Sequence, residues 1–130
     1  MDTIPIDNQA LVTELFGYWP AFHDAEIESI YLRRNEPGYW PAISLWIVVD
    51  GPLTNVGSEV QISRLWRIEL EFTEVVDNHF EGFNHQNVIF SFSFQQSQEG
   101  IICSIETSYG LSGSITARRV TVKSVTPCCL

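Results

Sequence analysis

From residue 26 onward the apolar side chains of this chain recur at every second position. Ile43, Leu45, Ile47 and Val49 share one parity, and so do Ile68, Leu70 and Phe72, with Glu69 and Glu71 between them. A period of two sends alternate residues to opposite faces of a β-strand, so the shared apolar face of such strands must be buried. Segments 26–34, 42–50, 66–76, 87–95, 101–109 and 114–125 all read this way. Turn residues punctuate them: Asn35-Glu36-Pro37-Gly38, Asp50-Gly51-Pro52, Gln98-Glu99-Gly100 and Tyr109-Gly110-Leu111-Ser112-Gly113. Short connections favour antiparallel neighbours. The expected architecture is mainly β (α+β): an antiparallel curled sheet or sandwich of about six to eight strands.

Four details of this reading are open to test. Residues 51–63 are polar and turn-rich and read as a long loop with room for a short edge strand. Residues 77–84 read as a loop carrying Phe80 and Phe83. Phe90, Phe92 and Phe94 alternate with Ser91, Ser93 and Gln95, which places the three rings on one face. In the last strand Ile115 and Ala117 share one parity while Val120 and Val122 share the other. A β-bulge near Arg118-Arg119 would restore a single inward face.

Before the first strand the period differs. Leu11 stands over Leu15, and Val12 over Phe16, at helical spacing. Asp7 or Asn8 is suited to cap this segment, and Gly17 suits the left-handed position just past its end. A helix is expected over about 8–16, too short to be stable unless it docks on the sheet. At 130 residues the chain makes one domain, with a β-rich body over about 26–126 and a frayed end at 127–130. Cys103 falls in a strand pattern and reads as a small buried apolar residue, whereas Cys128 and Cys129 follow Pro127 in the end expected to fray. Three cysteines without regular spacing make no disulfide framework and point to a reducing, cytoplasmic setting.

Charge narrows the functional classes. Sixteen acids against seven bases give a net charge of −9. Nucleic acid and anionic membrane surfaces are poor partners for such a chain. A basic protein is a good one, although acidity can also serve solubility alone. The acids Glu69, Glu71, Glu74, Asp77 and Glu81 form a stripe along one predicted strand and its exit. They read either as a solvated face or as a docking face for a basic partner, with Tyr18 as an exposed aromatic anchor.

The densest chemistry lies in Gly17-Tyr18-Trp19-Pro20-Ala21-Phe22-His23-Asp24-Ala25-Glu26-Ile27, between the helix and the first strand. His23 beside Asp24 suggests a general base with an orienting acid, and His79 and His85 could complete a metal site. A small metal- or ligand-binding β domain, hydrolases included, is therefore one alternative. A ligand carrier with an apolar pocket is another. Adjacent residues point in different directions in extended chain, however, and no H-x-H, H-E-x-x-H or C-x-x-C spacing occurs. Nucleophile elbows and phosphate-binding glycine loops are missing too. No catalytic residue, metal or cofactor is assigned. The favoured reading is a structural corner: Gly17 stops the helix, Trp19-Pro20 fixes the turn and Phe22 is buried. Asp24 then binds backbone N–H groups, His23 plugs the corner, and Tyr18 sits at the rim.

Three stretches together carry a family resemblance. They are Trp19-Pro20-Ala21-Phe22-His23-Asp24-Ala25-Glu26-Ile27, then Phe72 to Asp77 leading into Phe80-Glu81-Gly82-Phe83-Asn84-His85-Gln86-Asn87-Val88-Ile89, and Ser108-Tyr109-Gly110-Leu111-Ser112-Gly113-Ser114-Ile115. In order and spacing, over about residues 15–126, the chain resembles the immunity protein 50 family of bacterial polymorphic toxin systems. The resemblance implies a non-enzymatic protein that neutralises a cognate toxin by binding it inside the cell that makes both. It assigns no catalytic residues.

Overall fold

The computed structural model describes residues 4–34, 40–55 and 62–128. Its elements in chain order are β1 (Ile6–Asp7), α1 (Ala10–Phe16), β2 (Glu26–Arg33), β3 (Ala42–Asn55), β4 (Ile62–Glu81), β5 (Val88–Gln96), β6 (Ile101–Tyr109) and β7 (Ser112–Pro127). Strand pairing runs β1-β7-β4-β3-β2-β5-β6, and β6 pairs back onto β7. The expected curled antiparallel sheet thus closes on itself: β2 to β7 form a ring, and β1 stands outside it. β6 covers one edge of β7 up to Ala117, and β1 takes over that edge in parallel at Val120 and Thr121. Closure leaves few unpaired strand edges, which limits edge-to-edge aggregation.

The alternating residues behave as expected in the centre. Leu45, Ile47, Ile68, Leu70 and Phe72 are fully buried. Four boundaries differ from expectation. β3 runs on through Asn55 and β4 begins at Ile62, so much of the expected 51–63 loop is strand; residues 56–61 lie outside the described residues, as does the 35–39 turn. Gly51 permits this, because a Cβ there would strike the rings of Phe16 and Trp66 at 2.7 Å. β4 also continues through Asp77–Glu81, which pairs with Ser112–Thr116 instead of looping. Polar residues can form strand there because only one face of the sheet is buried. At the C-terminal end Cys128 does not fray. It is buried, its N–H donates to Leu65 O at 2.8 Å, and its sulfur accepts from Arg67 Nη2 at 3.4 Å.

The parity break in β7 is real but has another cause. Val120 lies opposite Phe72 and Ala117 opposite Val75, all buried, while Glu74, Arg118 and Arg119 are exposed. No register slip occurs at Arg118-Arg119. Both strands switch faces together, with Glu74 in the left-handed region at φ 53°. The nearby bulge sits on β4, where Val76 is the extra residue between Val75 and Asp77; a second one places Lys123 outside the pairing on β7.

The helix ends as expected, with Gly17 at φ 84° and its N–H donating to Thr13 O at 2.8 Å. Its start does not. Gln9 occupies the cap position without a side-chain bond, while Asp7 pairs with Arg119 (2.6 Å) and Asn8 donates to Val122 O at 3.5 Å. Val12 and Phe16 are buried, and Phe16 packs on Trp66 with ring centroids 5.9 Å apart. Leu11 and Leu15 stay half exposed on the other side.

Cys103 is buried in the interior, and burial pushes its thiol well above the ordinary value near 9. Below pH 9 the thiol is neutral in both states, but above it the unfolded chain loses a proton that the folded chain keeps. The contribution is complete below that pH and falls as pH rises, by about 1.4 kcal/mol per unit. Urea unfolding at pH 8 to 10.5 should show a steeper loss for the wild type than for Cys103→Val. Parallel curves would place the thiol in contact with water.

Candidate functional site

The segment after α1 is built from backbone that side chains seldom adopt. Phe22 has φ 64° and Asp24 φ 68°, both left-handed. Such a conformation is rare for a residue as bulky as Phe and costs on the order of 1–3 kcal/mol. Aromatic packing offsets it. Phe22 is buried, with its ring 5.0 Å from Phe92 and 5.7 Å from Trp19, and Trp19 reaches Phe94 at 6.4 Å. The two left-handed residues turn the chain so that Ala25 N–H donates to Phe22 O at 3.0 Å, and the chain then enters β2.

That corner is tied to β5 by backbone. Asp24 N–H donates to Ile89 O (2.9 Å), Ile89 N–H to Ala25 O (2.8 Å) and Ile27 N–H to Asn87 O (2.9 Å). The expected carboxylate anchor is therefore not what holds Asp24. Its side chain is 80% exposed, and the bond comes from its own N–H. His23 does fasten the corner: its Nδ1 donates to Phe90 O at 2.8 Å, and its ring meets Phe90 edge-on at 5.7 Å. Phe90 itself is 59% exposed, because β5 and β6 slip in register between Ile89 and Ser91 and Phe90 is the extra residue. The even spacing of Phe90, Phe92 and Phe94 had suggested one shared face. The slip sends only Phe92 and Phe94 towards the core.

The residue that joins these segments is Asn87. It is 2% exposed and uses its full hydrogen-bonding capacity. Oδ1 accepts from the N–H groups of Asn84 and Leu111, each at 2.9 Å, and Nδ2 donates to Asn84 O at 2.9 Å and Ile27 O at 3.2 Å. Gly110 lets Leu111 reach it, since a Cβ there would lie 2.5 Å from Asn87 Oδ1. All three stretches that carried the resemblance meet at this side chain. One polar residue inside a polar loop gives no period to read, and only its company (Asn84 three residues earlier, a glycine turn later) hints at a tie.

Beside the corner lies a cleft of about 310 Å³, lined by Tyr18, Phe22, His23, Asp24, Val49 and Asp50 among others. Tyr18 is 60% exposed at its rim, where its ring also meets Phe16 at 6.3 Å. A more apolar groove of about 410 Å³ lies between β1 and β5, lined by Ile4, Ile6, Trp19, Pro20, Phe92 and Phe94.

The acidic stripe is not one patch. Glu69 to Glu81 covers about 40 Å of strand at ~3.3 Å per residue, and the strand bends at Glu74. Glu69 lies on the outer face, opposite Trp46 on β3 and Ser124 on β7. Glu71 is mostly covered, held by Arg33 Nη2 at 2.8 Å and Lys123 Nζ at 3.8 Å, so it projects little charge. Glu74, Asp77 and Glu81 are exposed, with Glu81 3.9 Å from His79 Nε2. Tyr18 lies elsewhere: its cleft holds Val49 and Asp50, which pair with Trp66 and Leu65 at the other end of β4.

The histidines are dispersed. His23 serves the β5 corner, His79 stands on β4, and His85 bonds to Asn84 Oδ1 at 2.9 Å and meets Tyr109 edge-on at 5.6 Å. Among the described residues, no three His, Cys, Asp or Glu side chains converge as a set of metal ligands. Among them, too, no helix is long and apolar enough to cross a membrane.

No curated protein and no solved structure matches the chain. A family model described as Immunity protein 50 matches residues 8–128, which covers α1, the strained corner, the Asn87 tie and every strand from β2 to β7. The chain belongs to the immunity protein 50 family.

Proposed function

We propose that this protein neutralises a cognate bacterial toxin by direct, non-catalytic binding, in the cytoplasm of the cell that makes both, and that the toxin domain is basic. The family supplies the toxin-neutralising role. The distribution of charge is the observation that supports the mechanism. Arg33, Arg67, Arg119 and Lys123 each lie against a carboxylate, and Arg118 lies 5.9 Å from the ring centre of Trp40. Asp24, Asp50, Glu74, Asp77 and Glu81 project into solvent. Four of the seven cations are thus paired within the molecule, and the chain as a whole carries a net charge of −9. Such a field speeds encounter with a basic partner more than it holds the complex together.

The test is association kinetics with the toxin domain encoded by the adjoining gene. Raising salt from about 50 to about 500 mM should slow association at least tenfold and change dissociation less than about threefold. A salt-independent association rate would remove the steering, and absence of binding would remove the whole reading.

A further inference from the structure

We infer that the cleft between the Phe22–Asp24 corner and the end of β3 is the anchor point for the toxin, and that it takes a basic side chain, an arginine above all. This inference rests on the toxin-binding reading and names the place where it happens. Three features of the cleft support it.

The walls are amphipathic in the way an arginine side chain is. Phe22, Ala25 and Val49 are buried apolar residues that form the inner wall. Asp24 and Asp50 are exposed carboxylates lining the same space. A long aliphatic stem can lie on the first group while its cationic head meets the second. The volume of about 310 Å³ has room for one such side chain.

The acceptors are also arranged for a shared donor. His23 Nδ1 gives its proton to Phe90 O, so in the neutral ring Nε2 is an acceptor. It stands 3.6 Å from Asp24 Oδ1, another acceptor. Two acceptors side by side have nothing to offer each other, but a guanidinium carries N–H groups spread in one plane and can satisfy both. A lysine ammonium also has several donors, but it lacks the planar fork and the flat face that stacks on an aromatic ring.

Exposed aromatic rings stand at the cleft and behind His23. Tyr18 and Phe90 are each more than half exposed, one beside the cleft and the other against His23. Exposed Tyr beside charge that a partner can cover is the composition of an interface hot spot, and an arginine head can stack on such a ring. The acids of β4 are less suited: Glu71 lines a polar recess that already holds Arg119 and Lys123, and Asp77 and Glu81 are exposed on the strand.

The experiment measures the affinity of the adjoining gene's toxin domain for four forms of this protein. They are the wild type, Asp24→Asn/Asp50→Asn, Tyr18→Ala, and the control Glu74→Gln/Asp77→Asn. Asn is chosen at 24 because it tolerates the left-handed backbone as Asp does. Tyr18 is exposed, so its removal leaves the fold in place whatever the double variant does. The cleft variants should weaken binding by about 30-fold and about 10-fold respectively, with melting unchanged, and the control by less than about threefold. Wild-type binding with undiminished affinity in both cleft variants would overturn the anchor while leaving the toxin-binding reading intact. Equal loss in the control would replace the anchor with diffuse charge. No binding by the wild type would overturn both.

Discussion

Replacing Asn87 with alanine should lower the melting temperature by about 10 °C, without loss of the folded state at room temperature. The side chain makes four hydrogen bonds in a site that is 2% exposed. Alanine leaves the Leu111 N–H and the Ile27 carbonyl without those partners, and a buried polar group left unpaired costs about 1–3 kcal/mol. Asn84 is nearer the surface and can turn to water, so its two bonds cost less. The sum is about 3 kcal/mol, a large part of the ~5–15 kcal/mol that holds an ordinary domain together. For a chain of this size that corresponds to roughly 10 °C. Aspartate at the same position should not rescue it, because the two donor contacts become a carboxylate facing the Ile27 and Asn84 carbonyls. Thermal unfolding by circular dichroism decides the matter. A shift below about 2 °C would mean that the three segments are held together by packing alone.

Gly110→Ala should be worse still. A Cβ at Gly110 would lie 2.8 Å from Asn87 Cα, 2.5 Å from Asn87 Oδ1, and against the carbonyl oxygen of Gln86. Backbone atoms cannot swing aside as a side-chain tip can. The residue also sits at φ 106°, where an alanine is strained in any surroundings. The two effects together cost on the order of 4 kcal/mol or more. The variant should either fail to accumulate as folded protein or melt at least 10 °C below the wild type. Combined with Asn87→Ala, the loss should be smaller than the sum of the two, because both changes damage the same tie. Strict additivity would separate Gly110 from Asn87 and leave only a local clash.

These two residues mark the limit of what the sequence makes legible. Periodic features were readable. Ile68, Leu70 and Phe72 are buried as their spacing requires, and Gly17 ends the helix in the left-handed conformation. The parity break between Ala117 and Val120 pointed to a real corner, although β4 turned out to share it at Glu74. Register was not readable. Phe90, Phe92 and Phe94 looked alike in spacing, and a slip against β6 put Phe90 in solvent. The two-residue strand at Ile6–Asp7 carries no period at all; its existence depends on the edge of β7 that β6 leaves open.

The candidate site divides in the same way. His23 and Asp24 were visible as chemistry, and the structure makes them neighbours in a cleft through two left-handed residues that no pattern announces. Asp50 joins them from β3, twenty-six positions later, by pairing alone. Asn87 is the converse case: it is named within a recognisable stretch, but its role appears only when residues 27, 84 and 111 come together. A family can thus be recognised by residues that hold the fold. The proposed anchor combines Asp24, from one of those stretches, with Tyr18 and Asp50 from outside them, around the same corner.

The central claim is neutralisation by occupancy, and a titration tests it most directly. Purified protein is added in steps to the adjoining gene's toxin domain while the toxin's activity and its intact mass are followed. Occupancy predicts that activity falls linearly to zero at one-to-one stoichiometry, with the toxin chemically unchanged and active again after separation. Loss of activity at a small fraction of that ratio, with an altered toxin mass, would show catalysis and contradict the claim; so would full activity at molar excess.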